Sequence, residues 1–363
     1  MKQLLIIAIA LTSVNAFATR ARVHALGHSD HLVDTYTVYT NPAHIFHLAS
    51  DYVTLETGAT GALAPTLENA NAEGMIVRTM GDAKMGLSLG HESANASSWG
   101  LRRLSATPAL RVNQQNPIEL TYGMKFGDIN FAGTLVYSNY NNKKAAVGAL
   151  EKEATTALRL GATSGDWEAA LALGLANSAN IINGNKFTGS SDLNLFGAYT
   201  VDTMYFYANV ATLVAKEESS AGVEQGKATF QGVRLGVVNS HKKDGNELFY
   251  SVALNQTESK YTGTPDTKAT ALQLPVVIGL EVEANSWLTL RGSVSQISLI
   301  NDSKDETVTP ATETAPGVDS TKVAAGAGLK FNKINVDGTL TAATSQTLNA
   351  TSLLAQVGMS YWF

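Results

Sequence analysis

The sequence predicts an all-β protein, a closed antiparallel transmembrane β-barrel of about 16 strands, with about 14 as the alternative count. Three observations lead there. From residue 51 to the end, apolar residues alternate with small or polar ones, the period of a strand. Tight turns alternate with longer, more polar connections. The composition is 44% hydrophobic but only 16% charged, with 31 Gly and no Cys; an average soluble domain carries about 25% charged residues. The absence of Cys excludes disulfide scaffolds and Cys-ligated metal sites. A net charge of −5 speaks against nucleic acid as a partner.

Residues 1–18, MKQLLIIAIALTSVNAFA, have the three parts of a secretory signal peptide. Lys2 gives the positive start, Leu4 to Leu11 the apolar core, and Ala16-Phe17-Ala18 the small-residue cleavage site before Thr19. The apolar run is far shorter than the ~20 residues of a spanning helix, and no later run reaches that length. A chain exported in this way re-enters a membrane only as a closed barrel, which leaves no backbone group unpaired in lipid. Residues 19–50 form a histidine-containing leader, expected as a periplasmic or lumen-plugging segment. Residues 51–363 form the barrel.

The hairpins follow in order. In Pro117–Phe126, Ile118, Leu120, Tyr122, Met124 and Phe126 share one face and Glu119, Thr121 and Lys125 the other. Gly127-Asp128 turns the chain, and Ile129, Phe131, Leu135 and Tyr137 continue the apolar face. The same figure predicts strand pairs at 74–80 and 84–90, 155–163 and 167–177, 192–201 and 203–215, 227–239 and 247–257, 269–283 and 287–299, and 322–331 and 334–344. Single strands at 51–57 and 352–363 complete the set. The long connections are 58–73, 91–116, 139–154, 178–191, 216–226, 258–268, 300–321 and 345–351. Every short turn falls on the side of the C-terminus, the pattern of short periplasmic turns and longer extracellular loops. Aromatics gather near the short turns, at Phe126, Phe131, Trp167, Tyr199, Tyr205 to Tyr207, Phe249, Tyr250, Trp287 and Phe331. Such a girdle suits a membrane interface, where a ring buries its body and wets its edge.

The chain ends GMSYWF, with Leu353, Ala355, Val357, Met359, Tyr361 and Phe363 on alternate positions. This resembles the terminal recognition strand of Gram-negative outer-membrane barrels. The resemblance implies an assembly signal at Met359, Tyr361 and Phe363, read by the barrel-assembly machinery, and an outer-membrane location among lipid and lipopolysaccharide. Arg22, Ala25-Leu26-Gly27, Asp34 and Asn41-Pro42-Ala43, followed by a first strand, look like the N-terminal segment of the long-chain fatty-acid transporter class. The chain as a whole is similar to the major porin-like outer-membrane protein of Bdellovibrio-type bacteria.

The face opposite the lipid is expected to line a water-filled lumen. The predicted pore-lining charges are Arg78, Lys84, Glu119, Lys125, Arg159, Arg234, Glu281, Glu283, Arg291, Lys330 and Asp337. Basic residues outnumber acidic ones here, which predicts weak anion preference unless the charges pair across neighbouring strands. Two loops are candidate constrictions: 91–116, with Trp99, Arg102, Arg103 and Arg111, and 139–154, with Lys143, Lys144, Glu151 and Lys152.

Other chemistries find little support. His28-x-x-His31 and His44-x-x-His47 have metal-ligand spacing on a helix but no acidic or Cys-bearing surround, so no metal or cofactor is expected. An enzyme would need His beside Ser or Asp on the rim. The barrel region offers only His91, next to Glu92 and Ser93, and His241 in a short turn. No enzyme activity is expected. The expected function is an outer-membrane porin-like channel for passive ion transport and diffusion of small hydrophilic solutes, with homo-oligomers common among porins. The alternatives are a transporter of hydrophobic, fatty-acid-type ligands and a structural or adhesive coat barrel.

Overall fold

The structure, a computed structural model, describes residues 19–48, 50–58, 71–91, 117–143, 147, 150–182, 184–263, 267–305, 312–314, 321–343 and 354–363. The signal peptide, the arginines of the 91–116 loop and Lys144 lie outside the described residues. One short helix, α1 (Arg20–Ala25), and two 3-10 turns, Tyr36–Tyr39 and Pro42–Phe46, make up the leader. The strands are β1 (Tyr52–Gly58), β2 (Asn71–Met80), β3 (Ala83–Leu89), β4 (Ile118–Phe126), β5 (Ile129–Asn141), β6 (Leu150–Ser164), β7 (Trp167–Ile181) and β8 (Lys186–Val201). They continue as β9 (Met204–Glu218), β10 (Glu224–Lys243), β11 (Asn246–Thr262), β12 (Thr267–Asn285), β13 (Leu288–Asp305), β14 (Thr312–Thr314), β15 (Thr321–Phe331), β16 (Ile334–Ala343) and β17 (Leu354–Trp362).

Neighbouring strands pair antiparallel in chain order, and the ring closes where β1 pairs with both β2 and β17. Tyr52 faces Val77 on one side and Trp362 on the other. The three-residue β14 joins only the end of β13, which pairs directly with β15, so the closed barrel has 16 strands.

The ring has a low wall and a tall one. Strands β1 to β4 have 7 to 10 residues, whereas β6 to β13 have 15 to 20. The tall strands outrun the sequence expectation. Glu258 and Lys260, expected in a connection, pair with Thr270 and Lys268. Beyond the apolar belt the outer face needs no apolar residues, so alternation fades while backbone pairing continues. The β10–β11 turn is correspondingly tighter than expected. Lys243 pairs with Asn246, leaving Asp244 and Gly245 at φ +50° and +76°, the two-residue turn whose twist matches a hairpin.

The outer face carries exposed apolar side chains around the ring, among them Leu120, Leu135, Leu195, Leu235, Ile278 and Val357. Phe126, Phe131, Trp167, Tyr199, Phe206, Tyr250, Trp287 and Phe331 also face outward. Tyr205, Tyr207 and Phe249 are the exceptions to the expected girdle. Tyr207 and Phe249 are buried in an inner cluster with Leu26 and Leu32 of the leader, and Tyr205 packs against it.

Candidate functional site

The candidate site is built where the leader meets the inner face of the wall. Helix α1 begins at Thr19, whose side chain makes no cap. The free N–H of Arg20 instead donates to Glu56 Oε2 at 2.9 Å, and an acid at this end also suits the helix dipole. The helix stops at Gly27 and His28, both in the left-handed region at φ +67° and +56°. Gly27 N–H donates to His24 O and His28 N–H to Val23 O, closing the last turn. Burial, then the His28 ring 3.9 Å away, holds His24 neutral, its pKa pushed down to about 2.

Further on, the Asn41 side chain accepts from Ala43 N–H, with Pro42 at the first helical position. This element lies on Gly161 of β6. A Cβ there would sit 2.1 Å from Asn41 Oδ1 and 2.9 Å from the Ala43 nitrogen. Gly358 and Gly326 make the same room for Thr19 and Ala25. Small residues on the inner face, read from sequence as lining a lumen, thus include the seats of the leader.

Side chains fasten the leader on every side. Arg20 reaches Glu73 at 2.7 Å. Arg22 binds Glu281 at 2.8 Å and Asp34 at 3.2 Å. His31 Nε2 lies 2.9 Å from Glu247 and His44 Nε2 2.6 Å from Glu168. Burial works against the Arg22 cation, but Glu281 and Asp34 outweigh it and raise its pKa. Burial also dominates at Asp34 and, against Arg22, pushes its carboxyl up to about 7. Apolar contact completes the seat. Val38, Ala43, Ile45 and Leu48 pack with Tyr52, Met75, Val77, Ala132 and Trp362.

Ten of the eleven expected lining charges are on the inner face, and most have partners. Arg159 bonds Glu119 and the Tyr39 carbonyl. Arg291 bonds Glu281 and Asp337. Arg234 lies 2.9 Å from Asp30. Lys84 donates to the Leu48 carbonyl, and Lys125 stands over the Phe46 ring. Glu283 lies at the β10–β11 turn, against Gly245. Lys330 is partly exposed at the end of β15. Pairing on this scale removes the basis for the expected anion preference.

Arg78 is the correction. It shares the outer face with Ile76 and Met80, pairs with Asp51 at 3.0 Å and stands 5.1 Å over the Phe363 ring. The inner side of β2 presents Met75 and Val77 to the leader. The rule of charge inward and apolar outward therefore fails at Met75, Val77 and Arg78, while Glu73 and Ile76 of the same strand keep it. Phe363, Tyr361 and Met359 face outward, as their alternation implies.

Sequence reasoning missed Glu56, Glu73, Glu168 and Glu247, the wall carboxylates that catch the leader. Their signal was complementarity: the leader concentrates Arg20, Arg22 and five of the seven His, and of these Arg20, Arg22, His31 and His44 meet acids on the wall. The two His-x-x-His pairs are divided among different partners. His28 meets His24, His31 meets Glu247, His44 meets Glu168 and His47 meets Thr163. His91 stacks 3.5 Å from Tyr39 and bonds Glu73 at 2.7 Å; Glu92 and Ser93 lie outside the described residues.

Between leader and wall a cavity of about 310 Å³ remains. His28, Tyr36 and His44 line it from the leader, and Glu168, Asn194, Phe196, Asn209 and Arg234 from the wall. Its boundary is mixed, with rings and amides beside charges that already have partners.

No family model and no curated protein matches the chain. Among solved structures it is similar to the toluene transporter TbuX of Ralstonia pickettii, at 12% identity over 96% of this chain and 99% of that one, with a TM-score of 0.45. It is also similar to CdiB from Acinetobacter baumannii, at 8% identity over 86% and 60% of the two chains, with a TM-score of 0.48. The anion-selective porin from Comamonas acidovorans aligns at 12% identity over 86% and 99%, with a TM-score of 0.42.

Proposed function

We propose that this protein is an outer-membrane channel for the passive diffusion of small hydrophilic solutes, with residues 19–50 acting as a plug inside the lumen. The observation that carries the reading is the polarity of the two faces of one closed ring. Outside, a belt of exposed Leu, Ile, Val and aromatic side chains suits lipid. Inside, Asn194, Asn209, Glu168 and Arg234 border a cavity beside the leader. A hydrophobic-ligand transporter needs a continuous apolar tunnel under the leader, and this mixed boundary supports the hydrophilic reading over it. The signal-like segment 1–18 and the outward alternation of Met359, Tyr361 and Phe363 support export and insertion by the barrel-assembly machinery into a membrane of lipid and lipopolysaccharide. Porin-type homo-oligomers belong to the same proposal.

The mechanism is diffusion under a concentration gradient, filtered by width and by charge. The wall charges near the cavity are held in pairs, so a permeant meets fixed dipoles and hydrogen-bonding groups more than a net field. Single-channel recording in planar bilayers, together with swelling of liposomes in neutral sugars, tests this. Discrete conductance steps and sugar-dependent swelling are expected. Folded protein that conducts nothing and passes no sugar would overturn it.

A further inference from the structure

The cavity beside the leader has a neighbour. A second recess, of about 380 Å³, opens at the short-turn end of the barrel, among Arg22, His31, Lys242, Asp244, Glu247 and Glu281. Leu32 borders both spaces. What separates them is the stretch from Gly27 to Asp34, and its construction differs from the rest of the leader.

Both ends of this stretch are fixed. Arg22 of α1 reaches across it, with Nη1 donating to the Val33 carbonyl at 3.4 Å and to Asp34 Oδ2 at 3.2 Å. At the other end, Gly27 and His28 turn the chain through two left-handed residues. Gly27 lies against β12, where a Cβ would meet Val277 at 2.8 Å. Between these anchors the chain contains no helix of its own. Three side chains hold it to the wall: Asp30 on Arg234, His31 on Glu247, and Leu32 seated among Tyr207, Val238, Phe249, Ala253 and Val277. Stapled at its base, such a flap can swing its tip without moving α1 or the 3-10 turns.

We propose that the flap Gly27–Asp34 is the constriction of the pathway, that Leu32 is its limiting side chain, and that the permeant leaves into the recess under the β10–β11 turn. The inference rests on the channel reading and refines its substrate class. A solute leaving by this route passes His31, Glu247, Arg22 and Lys242 and enters water, so it is a polar solute and not one that escapes sideways into lipid. It also moves the constriction from the outer loops suggested by sequence to the leader.

The chain has no Cys, so one introduced thiol reports on one place. In planar bilayers, Leu32→Ala is expected to raise single-channel conductance at least twofold, and Leu32→Trp to lower it to less than half. Leu32→Cys, modified by a bulky methanethiosulfonate, is expected to lose at least half its conductance and to regain it on reduction. That comparison is made within one folded channel. Wild type, which has no thiol, serves as the control for the reagent and should not respond. If wild type conducts and every Leu32 variant, modified or not, matches it, the constriction lies elsewhere and this proposal alone falls. If neither wild type nor the variants conduct, the channel reading falls and this proposal with it.

Discussion

The two halves of the leader are held by different physics. The first half, from Thr19 to Asp34, is fastened by many polar contacts, Arg20 on Glu73, Arg22 between Glu281 and Asp34, Asp30 on Arg234 and His31 on Glu247, with Leu26 and Leu32 as its apolar anchors. The second half, from Tyr36 to Leu48, has Asn41 and His44 on Glu168 but is seated chiefly by packing, with Val38, Ala43, Ile45 and Leu48 almost fully buried against the low wall. Packing is non-directional and holds a segment as a block. Ion pairs act at points and leave the backbone between them comparatively free. The difference teaches where movement belongs: the charge-fastened half can open locally while the packed half stays in place.

Because the chain is free of Cys, Ser29→Cys and Val38→Cys can report separately on the two halves through their rates of thiol labelling. Every ~1.4 kcal/mol lost from docking appears as a tenfold faster rate. The largest effect is expected from Arg22→Ala. Removing one partner of a buried pair typically costs about 3–5 kcal/mol, since the opposing group stays buried; here Asp34 loses its cation while Glu281 keeps Arg291. Labelling at position 29 should rise at least ~100-fold, while labelling at position 38 stays within about threefold. Equal acceleration at both positions would mean that the leader opens as one unit, and the distinction between its halves would be lost.

Ile45→Ala attacks the other half. Ile45 is fully buried, and such a truncation usually costs about 2–5 kcal/mol through lost contacts and the cavity left behind. Position 38 should label roughly 30-fold faster or more, and position 29 should respond much less. A response confined to position 29 would overturn the assignment of packing to the second half.

How much of this was readable beforehand follows the same division. The strands were legible because a barrel wall in lipid imposes one rule on every alternate residue, as at Leu120, Tyr122 and Met124. The rule failed where a third surface entered. Val77 and Arg78 exchange expected faces because the inner side of β2 packs on the leader, and Tyr207 and Phe249 leave the girdle for the seat of Leu32. The tops of the tall strands were missed because backbone pairing leaves no hydropathy signal. Of the site, the inner charges were legible one by one, but their partners lie as far as 259 residues away in sequence, as in Arg22–Glu281. No local pattern encodes such a pairing.

A smaller effect is expected from pH. Asp34 carries a carboxyl raised to about 7 in the docked leader, because burial outweighs Arg22; in an exposed chain it titrates near 3.8. Docking is therefore best with Asp34 protonated, and this contribution is lost as pH rises through 7. His24 has the opposite sign. Its pKa falls from 6.5 to about 2 on docking, so its contribution is present above 6.5 and lost as pH falls. At pH 6.5 His24 opposes Asp34, as does His28, whose pKa also falls on docking, to about 4, so the Asp34 contribution is read as the difference between wild type and Asp34→Asn. From pH 8 to 6.5, labelling at position 29, corrected for thiol ionisation, should slow about fourfold relative to the variant. Identical pH profiles in wild type and variant would place the titrating group elsewhere.

The smallest effect sharpens the meaning of fastening by charge. Glu247 has two neighbours of unlike quality. His31 reaches it at 2.9 Å with a side chain only 5% exposed, whereas Lys242 stands 3.5 Å away and is 68% exposed. Water screens the lysine, and holding its long side chain in place offsets what attraction remains, so exposed pairs contribute about 0–1 kcal/mol. Lys242→Gln should therefore change labelling at position 29 by about twofold or less. His31→Ala should change it by about tenfold or more, since it leaves Glu247 largely enclosed with its hydrogen bond to Ser240 but without its buried partner. If the two substitutions act alike, burial is not what separates a fastening ion pair from an incidental one at this end of the barrel.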